Sequence, residues 1–598
     1  MKNKPLPPEW DLSDLYQGIN DPKVEQDRQS LLKETTVFTN KYKNTIDLPT
    51  ITAQHFYQAL NQYVQILEQT RILGAYADLL HAKDATSENI GHFYQDISEF
   101  LNQINTQLVW FDLEWTNLDE DIASKILQAP LVKKYQHALR LTRVFKPYRL
   151  SENEEKIMVQ KSQTGSEAFT RLYDEVSSRL RFSLNIAGQK KIISLSEITP
   201  YLTVHPNRNL RHRAIDSVTQ GLKNNSHIFT YLLNTTLLEK KVDDTIRNFA
   251  YPEQSTYLSC EIDPTIVDKM VISVTKNYHL VERFYNAKKK LLGLKQLYEW
   301  DRYSPLYPHE TTYTWSQAQT IILDSFGRFS SEFASIAKLF FTNNWIDAAI
   351  TPGKINGAFC SYVSPSIHPY VFVNYSGKIN DVMTLAHELG HGIHGYLARK
   401  NNLLEFDSST VIAEIASIFG ETLVFEKLYA SIIDKKQKIN ILADKIQESF
   451  ASIFRQNAFF LFEKEIHRQR RQKGELTVNN FNQLYQKYLQ AMFGRGLQLT
   501  NSHQYWWMPV LHFYHYNFYV FSYVFGETLT NSLYAIYKNQ GQSFVKKYIL
   551  ALSDGGSKSP SQLASAMGIN LADPQFWDKG IKLVEDRIIE FENLTASS

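Results

Sequence analysis

The chain has only two cysteines in 598 residues, Cys260 and Cys360, so no framework of disulfides staples its fold. That scarcity fits a reducing compartment, the cytoplasm. No tract rich in glycine, serine or proline interrupts the sequence as a flexible linker, so its lobes are expected to pack closely. Neither sign of charge prevails: 64 Lys and Arg stand against 62 Asp and Glu, which leaves no electrostatic footprint for phosphate backbones or anionic lipid. Neither nucleic acid nor a membrane is an expected partner. The opening residues, MKNKPLPPEWDLSDLY, hold no apolar run and no small-residue cleavage site, and do not read as a secretory signal. One stretch free of Asp, Glu, Lys and Arg, residues 504–526, is long enough to raise the question of a membrane span. Its Pro509, His512, His515 and Asn517, and tyrosines spread along its length instead of gathered at two ends, argue against lipid.

What the sequence does hold is apolar residues, 43% of the total with 13% aromatic, enough for a large globular core. They recur mostly at helical spacing, as in Leu60, Tyr63, Val64 and Leu67, so the expected class is mainly α. Residues 1–195 read as a helical lobe with no His, Cys or carboxylate cluster at metal spacing; residues 196–598 read as the lobe that carries the chemistry. Between 351 and 377 Gly and Pro punctuate short β-branched and aromatic segments, the pattern of a small sheet, with 370–375 (YVFVNY) its best strand. A helix is expected to start near Asp381, and a second, capped by Asp407, Ser408 and Ser409, to run through VIAEIASIFGETLVFEKLYASI.

The first of those helices contains His387-Glu388-Leu389-Gly390-His391, an H-E-x-x-H motif. Histidines at i and i+4 leave one helix face together and can meet a single ion. Catalytic zinc takes three protein ligands and a water whose pKa falls toward neutrality, and Glu388 is placed to act on that water as general base. The third ligand is not a histidine at the metzincin spacing, because position 397 is Leu. Glu414 and Glu421 lie two turns apart on the next helix among apolar and small residues, where a buried carboxylate needs a cation or a donor. We assign Glu414 to the metal, one zinc per chain, and Glu421 to orienting a ligand histidine.

In the charge-free segment, His512, Tyr516, Tyr519 and Tyr523 follow one another by four, three and four residues, which on a helix makes one stripe. Buried hydroxyls and imidazoles must find polar partners. His512 and Tyr519 are the expected donors to the oxyanion that grows when water attacks a peptide carbonyl, with Tyr516 and Tyr523 beside the substrate.

These strings together resemble oligoendopeptidase F, a branch of the thimet oligopeptidase family of zinc metallopeptidases. The resemblance runs nearly end to end: WDLSDLY (10–16), SQTGSEAFTRLYDEVSSRLRF (162–182), LLGLKQLYEWDRYSPL (291–306), KINGAFC (354–360), FVNYSG (372–377), HELGHGIH (387–394), AEIASIFGE (413–421) and LSDGGSKSP (552–560). It implies a helical N-terminal lobe and a zincin-type catalytic lobe enclosing a deep channel, with short unstructured oligopeptides as substrates and cleavage of internal bonds by zinc-bound water. It implies substrate backbone along an exposed strand, a role carried here onto Asn374 and Tyr375, and a His- and Tyr-rich segment (512–523) facing the scissile carbonyl. The chain departs from the family at Phe521, where Tyr is common. A zinc aminopeptidase would show a G-x-M-E-N string, which is absent, and a scaffold with a dead site would have no need of Glu388 with both histidines and Glu414.

Overall fold

The computed structural model describes residues 7–308 and 311–596 and is mainly helical, with two small sheets. Its backbone divides into two compact units, one of Met1–Pro147, Thr311–Ala430 and Ile536–Ile569, the other of Tyr148–Glu310, Ser431–Ala535 and Asn570–Ser598.

In the first unit three long helices, α1 (Pro22–Tyr42), α2 (Ala53–Lys83) and α3 (Glu88–Asn117), start at Asp21, Thr52 and Ser87, whose side chains accept from backbone N–H groups of the first turn. Their facing sides bury Phe38, Phe56, Tyr63, Phe111 and Trp115. The rings of Tyr63 and Phe111 lie 4.4 Å apart and those of Phe56 and Trp115 4.5 Å, so aromatic area dominates this core. The buried Glu114 carboxylate accepts from Asn44 N (2.7 Å) and Ile46 N (3.0 Å), which ties α3 to the loop between α1 and α2.

The expected sheet is present, in the strand order Ile346–Asp347, Tyr370–Phe372, Phe359–Ser361, the first pair parallel and the second antiparallel. Trp10, from the N-terminal WDLSDLY string, packs its ring 5.6 Å from Phe372 and 6.1 Å from Tyr370. Buried Lys354 is ion-paired with Asp347 and donates to Ala349 O and Val373 O (2.8 Å each), binding the sheet to the loop before its edge strand.

The second unit is helical and, among the described residues, holds one hairpin, Phe182–Ile186 against Gln189–Ile193. Fully buried Asp301 accepts from Arg208 (2.9 and 2.7 Å) and Arg211 (3.1 Å), and the tilted rings of Phe284 and Phe591 meet at 4.9 Å in its core. No helix among the described residues is long and apolar enough to cross a membrane. The charge-free segment is not one helix. It forms a turn at His503–Tyr505, a short helix His512–His515, a break, and then the helix Phe521–Gln540. The break centres on Phe518, a buried non-glycine residue at φ +60°, a backbone form that costs about 1–3 kcal/mol. Phe518 N donates to the Glu463 carboxylate at 2.6 Å and its ring lies 4.5 Å from His467, contacts that hold it there.

Candidate metal centre

The motif helix, Ile379–Ala398, begins just after the sheet. Asp381 does not cap it from outside, as expected, but sits in its first turn and accepts from Ser376 N (2.7 Å), Ser376 Oγ (2.6 Å) and Lys378 N (3.0 Å). Val382, Leu385, Ala386, Leu389 and Ile393 bury one face, and His387, Glu388 and His391 line a cavity on another. Gly390 lies between the two histidines because the next helical segment passes too close for a side chain: a Cβ there would stand 2.4 Å from Ala416 O.

That next segment is interrupted. Ser409 precedes a single turn, Thr410–Ala413, and a separate helix, Ile415–Ser431, follows, so Glu414 stands at the junction and not inside one continuous helix. Tyr548 Oη donates to Ile415 O (2.8 Å), and Ser417 Oγ donates to Glu414 Oε2 (2.7 Å), fixing backbone and carboxylate at that point.

The three expected ligands converge. Glu414 Oε2 is 3.3 Å from His387 Nε2 and 3.4 Å from His391 Nε2, and one donor atom from each residue lies within 4.8 Å of the others. Two donors each about 2.1 Å from a tetrahedral ion are about 3.4 Å apart, so these separations suit zinc, and two imidazoles with one carboxylate are a donor set that leaves a fourth position open. The other ring nitrogen of His387, Nδ1, lies 3.2 Å from Glu421 Oε2, the orienting contact foreseen for it.

The electrostatics point the same way. Burial disfavours a charged His387, yet its bonds to Glu414 and Glu421 outweigh that and push its pKa up to about 10. Burial likewise opposes ionisation of Glu414, and the two histidines outweigh it, holding the carboxyl well below the usual range. Two carboxylates around these imidazoles thus call for positive charge at their centre. Glu388 is different: burial lifts its pKa against the pull of His387 and His391.

The cavity has a volume of about 960 Å³. One wall is the edge strand Phe359–Ser361 with its neighbours Ala358, Tyr362 and Val363, and another is a stripe of α2 that includes Leu67, Arg71, Gly74, Ala75 and Asp78. Arg71 holds Asp407, one of the expected capping residues, through two bonds of 2.5 and 3.3 Å. Neither Arg71 nor cavity-lining Tyr362 was marked by any local sequence pattern; only the helical periodicity of α2 hinted at a face. Burial and the nearby Glu388 charge raise the Cys360 thiol, which makes it a poor nucleophile.

Asn374 and Tyr375, expected along an exposed strand, lie just beyond the central strand of the sheet. Tyr370–Phe372 is the central strand, Val373 N and Tyr375 N continue its pairing to Asp347 O and Ala348 O, and Asn374 Nδ2 donates to Ile355 O and Gly357 O (3.0 Å each). Tyr375 Oη donates to Tyr313 O (2.9 Å). Both side chains are spent on local structure, and the strand that lines the cavity is Phe359–Ser361.

In the second unit the aromatic residues expected on one helical stripe meet instead across the break at Phe518. His512 Nε2 is 3.1 Å from Tyr523 Oη, the His512 and Tyr519 rings stack at 6.0 Å, and Tyr519 meets Tyr523 edge-on at 5.2 Å. Tyr516 is 57% exposed beside them. Burial lowers the pKa of His512, favouring its neutral form.

The family model of "Peptidase family M3" matches residues 201–583, and that of "Oligopeptidase F" matches 114–182. Oligopeptidase PepF of Bacillus subtilis is 26% identical over 594 residues, covering 98% of this chain and 87% of its own. Among solved structures, oligoendopeptidase-F from Enterococcus faecium superposes with a TM-score of 0.74 at 19% identity over 96% of this chain and 99% of its own. A chain from Chlamydophila abortus does so with a TM-score of 0.85 at 24% identity, over 99% and 100%. At those identities the structural likeness is one of fold.

Proposed function

Because the chain belongs to peptidase family M3, we propose that it is a zinc-dependent oligoendopeptidase of the cytoplasm that hydrolyses internal bonds of short, unstructured oligopeptides. The observation that carries this reading is the placing of Glu414 Oε2 3.3 and 3.4 Å from the two motif histidines, with Glu388 on the same cavity. His387, His391 and Glu414 would hold one zinc, and Glu421 would keep the His387 ring turned toward it. Zinc in such a site supplies a Lewis acid that acidifies water and polarises a carbonyl.

The remaining steps fall to the chain's own groups. Glu388 takes the proton of the attacking water and passes it to the departing amine, a role its raised pKa favours. The edge strand Phe359–Ser361 pairs with no second strand on its outer side among the described residues, so an extended peptide can add to it by backbone hydrogen bonds. Such pairing suits extended peptides, whose backbone groups are free along their length. His512 and Tyr519 are proposed as donors to the substrate carbonyl, on the strength of a neutral imidazole and a phenol held in a fixed stack.

A mixed peptide library, incubated with and without chelator and mapped by mass, tests the whole reading beside metal analysis of the purified protein. Internal cuts that vanish with chelator, and about one zinc per chain, are expected. Full activity in chelator, or efficient digestion of a stable folded protein, would overturn it.

A further inference from the structure

A second cavity in the first unit, about 570 Å³ in volume, is lined mostly by basic and polar side chains. The chain as a whole is charge-balanced, yet Lys133, Lys134, Arg140 and Lys558 converge on this one hollow together with His137 and Ser561. Its single lining carboxylate is Glu405, and that group is already engaged. Glu405 Oε1 accepts from His137 N (2.9 Å) and Ala138 N (3.2 Å) at the start of the helix Gln136–Val144, and Oε2 accepts from Asn402 Nδ2 (3.1 Å). Lys558 is paired with Asp554 at 2.8 Å, whereas Lys133 and Arg140 have no carboxylate partner among the described residues. Like charges gathered in a concave wall repel one another and raise the local concentration of anions.

The hollow is built, not incidental. Lys558 follows the Asp554-Gly555-Gly556 turn, and Gly556 N donates to Glu405 O (2.9 Å) while Gly555, at φ +52°, lies against Glu405 and Phe406 carbonyls. Asn401 Nδ2 bonds Ser553 O (2.9 Å), a second tie between the same two segments. The connector 401–407 therefore holds the turn that carries Lys558. It is also a partition: Leu403, Leu404 and Asp407 line the metal cavity, and Glu405 lines this one.

We propose that this basic cavity binds a small phosphate-bearing anion, with Arg140 and Lys133 as its principal contacts and Lys134, Lys558 and the Ser561 hydroxyl completing them. A guanidinium fork pairs with two oxygens of one phosphate, ammonium groups serve as point charges, and a hydroxyl donates a further bond. The volume lies within the range of small-ligand sites and admits a group attached to the phosphate. Binding there would steady the connector that joins the motif helix to Glu414. The assignment does not depend on the peptidase reading.

Calorimetric titration of the full chain with orthophosphate, against chloride at equal ionic strength, reads the site directly, and hydrogen exchange locates it. Saturable binding with a Kd of about 1 mM or tighter is expected, with slower exchange in 133–140 and 403–409. The double variant Lys133→Ser, Arg140→Ser alters two exposed side chains and should fold as the parent does, while binding weakens about tenfold or more. Adenosine monophosphate as a second probe separates the sources: tighter binding than orthophosphate marks an organic phosphate, equal binding a free one, and both agree with the proposal. No saturable signal, or binding untouched by the double substitution and thus seated elsewhere, for instance at the metal centre, would overturn it.

Discussion

Replacing Gly390 with alanine strains the metal centre at the point where its two ligand-bearing segments touch. The added Cβ would fall 2.4 Å from Ala416 O and 2.6 Å from Ser417 Cα. Both are backbone atoms of the segment that carries Glu414, so no change of rotamer relieves the clash. Opening 2.4 Å to 3.0 Å, the least that real Cβ atoms show, takes a shift of 0.6 Å. Metal–ligand distances tolerate only about 0.2 Å, so such a shift pulls Glu414 off the ion. Overpacking costs about 1–3 kcal/mol and the better helix propensity of alanine returns about 1 kcal/mol, so the metal-free protein should lose at most about 2 kcal/mol. Zinc affinity should fall more, by about ten- to a hundredfold. Competition with a chromogenic chelator measures the affinity, and thermal unfolding without metal measures the rest. Gly420→Ala is the control, since its Cβ would meet a Phe326 ring atom at 3.2 Å and Ala386 O at 3.3 Å, distances that need adjustments of only tenths of an ångström. Wild-type zinc affinity and wild-type metal-free stability in Gly390→Ala would refute the reasoning.

Glu388→Gln should keep its zinc and lose about a hundredfold or more in turnover, because an amide cannot take the proton of water; paired metal analysis and peptide-cleavage rates check this. Tyr519→Phe should lower kcat by roughly ten- to a thousandfold with zinc content unchanged, and an unaltered kcat would reduce the His512–Tyr519–Tyr523 group to packing. Glu463 supplies a pH test. Burial pushes its pKa up to about 8 from an ordinary 4.5, and its Oε2 has no hydrogen-bond partner. A group raised in the folded state gives stability that is full below 4.5 and lost as the pH climbs through 8. Denaturant unfolding at pH 5 and pH 8.5 should therefore show a decline that Glu463→Gln abolishes; the same decline in the variant would contradict it.

The residues proposed to hold the metal were legible because their signals are local. His387 and His391 need only the helical repeat to share a face, and Glu414 was conspicuous as a carboxylate among apolar neighbours, where an unpaired charge is costly. What failed was continuity. Nothing between 516 and 520 breaks a helix by propensity, and no glycine stands where φ turns positive; the break is held by Glu463, 55 residues earlier in the chain. The junction at Glu414 was missed for a related reason, since it depends on Tyr548 reaching Ile415 O from 133 residues away.

The sequence by itself determined the helical class, the presence of a small sheet near 351–377 and the choice of His387, His391 and Glu414 as candidate ligands, all consequences of residue type and short-range spacing. Tertiary structure alone decided which strand is the edge. Tyr370–Phe372 has as good a strand pattern as any, but pairing with Ile346–Asp347 on one side and Phe359–Ser361 on the other uses both of its hydrogen-bonding edges and leaves the cavity to the latter. It likewise decided that Arg71 meets Asp407 across 336 residues, and that four cations from two distant segments share one hollow. Propensity and periodicity act over a few residues, whereas edges, cavities and charge clusters arise only when distant segments compete for the same neighbours.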